Sequence, residues 1–275
     1  MSIIQLEQRE PPPQQPLFTA NSLLGIAGCA GLAAALIFAA FPDIDLGVAR
    51  LFYLDSKTFL FAKGTTGGML RDLLRLVFAA ACVAAVAGFA MIAFFSRRLL
   101  GLGFAAWAYL ALCVAIGPGL VANVVFKDNW GRARPVQIVE FGGSKQFTPA
   151  FTRSDQCERN CSFVSGEASN IFILGFALAL LTEPSRRRKM FRAAIAAGSF
   201  AGLLRIGGGA HFVSDVVFAG IFMAFVARGL AWVLFERLEM QFADDGPLHR
   251  RTHWAGQMAA HHGLRVWHMA KAKVG

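Results

Sequence analysis

"LVFAAACVAAVAGFAMIAFF", residues 76–95, holds no charged side chain across twenty positions. A helix rises about 1.5 Å per residue, so about 20 such residues match the roughly 30 Å hydrocarbon core of a bilayer. Working outward, five more runs are apolar or nearly so: Leu23 to Phe41, Leu99 to Val121, Ile171 to Leu181, Ala193 to Leu204 and Phe212 to Leu234. The fourth and fifth runs in chain order are shorter. Flanking small and polar residues, Ser165 to Asn170 and Gly207 to Gly209, extend them if those ends are buried in protein. The chain of 275 residues is 56% hydrophobic and only 16% charged, so the placement of its apolar residues sets the class. The expectation is an all-α membrane protein, a bundle of six transmembrane helices in one domain over residues 21–238.

The first run is preceded by Glu7, Arg9, Glu10 and "PPPQQP". A secretory leader has a basic n-region instead, so this run reads as an uncleaved anchor. Residues 1–20 read as a disordered N-terminal segment. Residues 239–275 read as a basic tail that is either disordered or an amphipathic helix on the cytoplasmic leaflet.

A net charge of +10 would suggest nucleic acid in a soluble protein. In a membrane chain it is explained by the bilayer surface, and no nucleic-acid partner is expected. "SRR" at 96–98, "SRRRK" at 185–189 and the tail from His249 fall where cytoplasmic loops lie if both termini are cytoplasmic. The opposite loops also carry Arg50, Lys57, Lys63, Arg71, Lys127, Arg132 and Arg134, so the positive-inside rule is blurred. The cluster at 186–189 tips the orientation, and a function can explain the cations opposite.

Cys29, Cys82 and Cys113 lie inside apolar runs and read as small buried residues. Cys157 and Cys161, in "CERNC", sit on the long loop between the third and fourth helices. A disulfide is open to them if that loop is periplasmic. With no nearby His or second Cys pair, a zinc site is disfavoured.

Three stretches place polar residues at helix ends on that same side. In "KDNWGRARP", 127–135, Lys127, Arg132 and Arg134 outnumber the cations of an ordinary helix end, and guanidinium forks suit phosphate oxygens. In "CSFVSGEASN", 161–170, Ser165 can cap a helix, Gly166 lets a ligand approach the backbone, and the first-turn N–H groups attract an anion. In "RIGGGAHFVSD", 205–215, His211 and Asp215 are four apart on one helix face, and a glycine run can return Arg205 to the same place. Alone, the first also fits an interfacial basic patch and the second a plain helix start, whereas a membrane-domain His paired with an acid and faced by an Arg reads as functional. Together they supply what phosphoryl transfer needs: cations, backbone donors, and a nucleophile or base oriented by an acid. No cofactor or metal is called for, since one core His and scattered carboxylates make a poor ligand set.

This pattern resembles the three-part signature of the type 2 phosphatidic acid phosphatase superfamily, which also includes vanadium haloperoxidases. Lys127 is followed after six residues by Arg134-Pro135, then comes a Ser-Gly helix start, and Arg205, His211 and Asp215 follow with five and three residues between them. The resemblance covers about residues 20–235. It implies that His211 is the nucleophile forming a phosphohistidine and that Asp215 orients it. Lys127, Arg134, Arg205, Ser165 and the Gly166 backbone would then hold the phosphoryl oxygens.

Two positions depart from the pattern. Where the family has Pro-Ser-Gly-His, with the His as general acid, this chain has Val164-Ser165-Gly166-Glu167, and Leu204 stands where Ser usually precedes the Arg. A desolvated Glu167 can serve as the acid. Alternatively, a diphosphate or sugar-anomeric leaving group needs little protonation, and a third reading is a dead enzyme.

The expected substrate is a membrane lipid phosphate at the headgroup level, the protein lying in a bacterial inner membrane with its site facing the periplasm. "SFVSGE" is similar to lipid A phosphatase-like members, which places lipid A first. Undecaprenyl diphosphate, phosphatidic acid, phosphatidylglycerol phosphate, and transfer to another lipid are the alternatives. A non-catalytic lipid-phosphate binding or transport protein is the reading from a different class.

Overall fold

Each apolar run folds as a helix, and several run further than their apolar residues. The computed structural model describes residues 20–54, 58–62, 64–95, 99–255 and 257–258. Helix α1 is Ala20–Ala40, and a short amphipathic α2, Asp43–Arg50, follows it. Helix α3 is Thr66–Phe95, ten residues longer at its start than the apolar run. Helix α4, Phe104–Val114, continues as π-helix through Ala115–Lys127, where Pro118 interrupts the regular ladder. Helices α5 (Gly166–Leu181), α6 (Pro184–Gly207) and α7 (Val213–Trp232, with a π-helical extension Val233–Arg237) complete the set.

Among the described residues the regular structure is helical, with only isolated β-bridges in loops. Five helices among the described residues are long and apolar enough to cross a membrane, and α5 is a shorter apolar helix of 16 residues. At about 1.5 Å per residue α5 spans about 24 Å, short of a bilayer core. It can be short because its N-terminus begins inside the protein, where the loop before it covers the backbone. The expected architecture of six apolar helices therefore holds, with one of them a buried hub.

Helix α5 packs against α4 and its π-helical extension, α6 and α7, and also touches α3, while α1 lies against α7. Lipid tails are as apolar as leucine, so helix association in a membrane depends on close backbone approach at small residues. A Cβ at Gly198 of α6 would meet the Phe172 ring of α5 at 2.3 Å, and one at Gly175 of α5 would meet Ala194 of α6 at 2.4 Å. The outer helices keep large side chains exposed, among them Leu32 and Leu36 of α1 and Met69, Leu76 and Val83 of α3, as a lipid-facing surface requires.

The C-terminal ends of α4 and α6 and the N-terminal ends of α3, α5 and α7 gather at one end of the bundle. At the other end, Asp244 Oδ1 accepts the Phe104 N–H at 2.8 Å and so caps α4. A helix over 247–255 docks there, with the His249 ring stacked on Phe104 at 4.7 Å and His253 Nδ1 donating to the Ala93 carbonyl at 3.0 Å. The first part of the basic tail is thus packed on protein. The expectations for residues 1–19, the "SRR" loop and the tail beyond 258 lie outside the described residues.

Candidate active site

The clustered helix ends bring the three polar stretches to one open cavity of about 420 Å³. Lys127 comes from the end of α4, Arg134 from the following loop, Gly166 and Glu167 from the start of α5, and Arg205 from the last turn of α6. Ser165, His211 and Asp215 are buried beside this cavity and do not form its lining.

His211 is 1% exposed, and its Nδ1–H donates to the Ser162 carbonyl at 2.7 Å. Asp215 Oδ2 stands 3.6 Å from the same nitrogen. A backbone carbonyl is therefore the partner that fixes the tautomer, with the carboxylate behind it, and Nε2 carries the lone pair. Burial pushes the His211 pKa down to about 3; Asp215 opposes this, while Arg205 and Lys127 add to it. The imidazole is an unprotonated base at neutral pH.

Asp215 is anchored on several sides. Its Oδ2 accepts Ser162 Oγ at 2.5 Å and the Phe212 N–H at 2.8 Å, and its Oδ1 accepts Arg132 at 2.6 Å. The same guanidinium donates to Asp45 Oδ2 at 2.7 Å, to Ser214 Oγ at 2.9 Å and to the Thr148 carbonyl at 2.9 Å. It also lies over the Phe212 ring, 4.3 Å from the centroid. Burial raises the Asp45 carboxyl, and Arg132 opposes that rise. By its place in "KDNWGRARP", Arg132 groups with Lys127 and Arg134. The structure separates it: fully buried between two carboxylates, it is a neutralised strut tying α2 and the loop to α7.

The remaining cations face the cavity. Arg134 donates to the carbonyl and to Oδ1 of Asn160, at 2.7 and 2.9 Å, and Lys127 Nζ is 3.4 Å from that Oδ1. Asn160 has φ of 53°, a left-handed turn that its short polar side chain tolerates. It lies between Cys157 and Cys161, which are joined in a disulfide. Cys161 N–H donates to the Lys127 carbonyl at 2.9 Å, so this loop is pinned to the end of α4 and presents Asn160 to both cations. Burial works against the Arg134 charge, lowering its pKa, while Glu167 opposes that shift.

Ser165 occupies the N-cap position of α5, yet its hydroxyl makes no capping bond and the buried Oγ has no hydrogen-bond partner among the described residues. The expected side-chain cap is therefore absent. A Cβ at Gly166 would stand 2.7 Å from Lys127 Nζ, so only glycine lets the ammonium lie against the start of the helix. Glu167 pairs with Arg205 Nε and, at 3.7 Å, with Arg75 of α3. Arg71, Arg75, Asn123, Asn160 and Asn170 also line the cavity. None of them belongs to the three-part signature, although Arg71 is among the cations on that side that call for a function. Arg71 and Arg75 were legible as charges four apart beside an apolar run, but nothing local tied them to motifs more than fifty residues away.

The helical membrane bundle with Lys127, Arg134, Arg205 and His211 about one cavity defines a class, and the comparison agrees. The chain belongs to the PAP2 superfamily, whose pattern matches residues 106–239. It is 38% identical to the Lipid A 4'-phosphatase of Francisella tularensis subsp. novicida (strain U112) over 220 residues, 78% of this chain and 96% of that one. It is 36% identical to the Lipid A 4'-phosphatase of Rhizobium leguminosarum, covering 66% of this chain and 83% of that one, and 36% identical to that of Rhizobium etli, covering 66% and 75%. No solved structure matches the chain. It is a multi-pass membrane lipid phosphatase.

Proposed function

We propose that the chain removes a phosphate from lipid A by way of a phosphohistidine on His211, at the periplasmic face of a bacterial inner membrane. The observation that carries this reading is the convergence of Lys127, Arg134 and Arg205, from three separate elements, on one cavity beside a buried, unprotonated His211. His211 Nε2 attacks phosphorus, and the bond to the lipid oxygen breaks. Water then attacks the phosphohistidine and releases inorganic phosphate. The three cations, the Ser165 hydroxyl and the first N–H groups of α5 take up the charge that develops on the phosphoryl oxygens. Asp215 and the Ser162 carbonyl hold the ring and stabilise the imidazolium side of the cycle. Similarity to three lipid A 4'-phosphatases supports the substrate. The orientation is supported by the basic stretch at 185–189 at the bundle end away from the site, and by the Cys157–Cys161 disulfide, a bond at home in the periplasm.

Glu167 reads differently beside its partners than it does in sequence. To donate a proton to the leaving oxygen, Glu167 would first have to be protonated, which gives up its ion pairs with Arg205 and Arg75. Its role in this mechanism is to aim Arg205, and the leaving oxygen takes its proton from water.

Purified protein in detergent, assayed for phosphate release over a panel of lipid phosphates, tests the function. Release from lipid A is expected, with a loss of at least about 10³-fold in His211→Ala. Release from undecaprenyl diphosphate or phosphatidic acid but not lipid A would overturn the substrate. No release from any of them would overturn the activity.

A further inference from the structure

The cavity holds more positive charge, and more space, than one phosphate monoester needs. At about 420 Å³ it falls in the range that accommodates whole small-molecule ligands. Lys127, Arg134 and Arg205 account for the phosphoryl oxygens. Arg71 and Arg75 line the same cavity, yet belong to none of the three motifs and lie outside residues 106–239, the part matched by the superfamily. Four residues apart on α3, they project from one helix face. Arg75 is 61% exposed by side chain, and Arg71 is held by Asp72 at 2.6 Å. Glu167 stands between the two groups of cations, paired with Arg205 on one side and Arg75 on the other.

The same four residues, Arg71, Arg75, Glu167 and Asn170, also line a narrow cleft between α3, α5 and α6, whose other walls include Phe78, Ile171 and Leu204. The cationic end of α3 thus meets the polar cavity on one side and an apolar seam on the other. That is the arrangement expected for a lipid whose anionic headgroup enters the cavity while its hydrocarbon stays against the helices.

We infer that Arg71 and Arg75 form a second anion subsite, which takes another anionic group, phosphate or carboxylate, of the same lipid headgroup while the first sits at His211. This rests on the phosphatase reading of the site. Arg71 and Arg75 determine specificity and take no part in bond breaking: a headgroup with anions at both ends is bound at two points, one with a single phosphate at one. Glu167 keeps the two cationic groups apart and blocks a single phosphate from bridging them.

The test compares two lipids with the full-length protein in nonionic detergent micelles: a disaccharide glycolipid phosphorylated at both ends, and the same lipid bearing only the phosphate that is removed. Wild type is expected to favour the first by about tenfold or more in kcat/KM. In Arg71→Gln/Arg75→Gln the preference falls to near one, through a raised KM for the doubly phosphorylated lipid. Arg71→Lys/Arg75→Lys, which keeps the charge, retains most of it. Monodispersity on size exclusion and an unchanged melting temperature establish that the variants fold. A wild type indifferent to the second phosphate, or a double variant impaired equally on both lipids, would overturn the subsite and leave the arginines as membrane-surface contacts. A replacement second group, carboxylate for phosphate, separates recognition of charge from recognition of phosphate geometry. A wild type that hydrolyses neither lipid nor any other lipid phosphate overturns the proposed function itself.

Discussion

Two groups of charges lie within one bundle end, and they are treated in opposite ways. Beneath the cavity, Arg132 is fully buried and meets two carboxylates, two other oxygen acceptors and an aromatic face. Around the cavity, Lys127, Arg134, Arg205, Arg71 and Arg75 face a shared space, with Glu167 the only carboxylate in its lining among the described residues. A buried ion without partners costs several kcal/mol, so a structural charge comes with its neutralisation built in. An excess of like charge around an open cavity is unfavourable until an anion arrives, and that imbalance is what the proposed function reads as a binding site. Arg132 and Arg134 are two residues apart in sequence and fall on opposite sides of this division.

The comparison can be broken most sharply at Arg132. Arg132→Ala leaves Asp45 and Asp215 buried and unpaired, and should destabilise the protein by about 3–5 kcal/mol, seen as a large drop in melting temperature or loss of monodisperse protein. Arg134→Ala should instead stay within about 0.5 kcal/mol in stability while losing on the order of 10²-fold in phosphate release. If both variants behaved alike, the division would be wrong.

A second test uses pH. The His211 pKa is about 3 in the folded state against about 6.5 unfolded. Between those values the unfolded chain binds more protons, so stability falls as pH falls from about 6.5 towards 3 and is unaffected above that window. The loss is about 2 kcal/mol at pH 5. A series of melting temperatures in wild type and His211→Asn checks this; the variant should show the shallower decline. An equal slope in both would mean that His211 is protonated in the fold.

Smaller effects sharpen the cavity side. Gly166→Ala must push the Lys127 ammonium away from the start of α5, and a loss of about tenfold in kcat/KM is expected with little change in stability. Glu167→Gln removes a charge that aims Arg205 and should cost less, a few-fold by the same positioning argument. The factor should be the same for a lipid phosphate and for an aryl phosphate with a more acidic leaving oxygen. A loss confined to the lipid substrate would restore Glu167 as the proton donor.

Much of the architecture was readable locally. Apolar runs on the scale of a bilayer become helices wherever they occur, and His211 and Asp215 do come close, although His211 precedes the N-cap of α7 and does not share a helix face with Asp215 as the spacing suggested. Helix ends were less legible: α3 begins ten residues before its apolar run because Thr66 to Arg75 continue the helix at the polar end of the bundle. Of the site, the motif residues and their meeting place were visible, whereas their partners were not. Ser162 holds His211 through a backbone carbonyl, which no side-chain pattern encodes. Asp45 reaches Arg132 across 87 positions, and Arg75 reaches Glu167 from another helix.

The sequence by itself determined that the chain is a membrane bundle with its motif residues at helix ends, because hydrophobic length and short-range spacing act within a few turns of chain. Only the tertiary structure decided which cations are buried between internal partners and which face the cavity. That choice depends on desolvation and on carboxylates brought in from distant segments, and both exist only once the helices have packed.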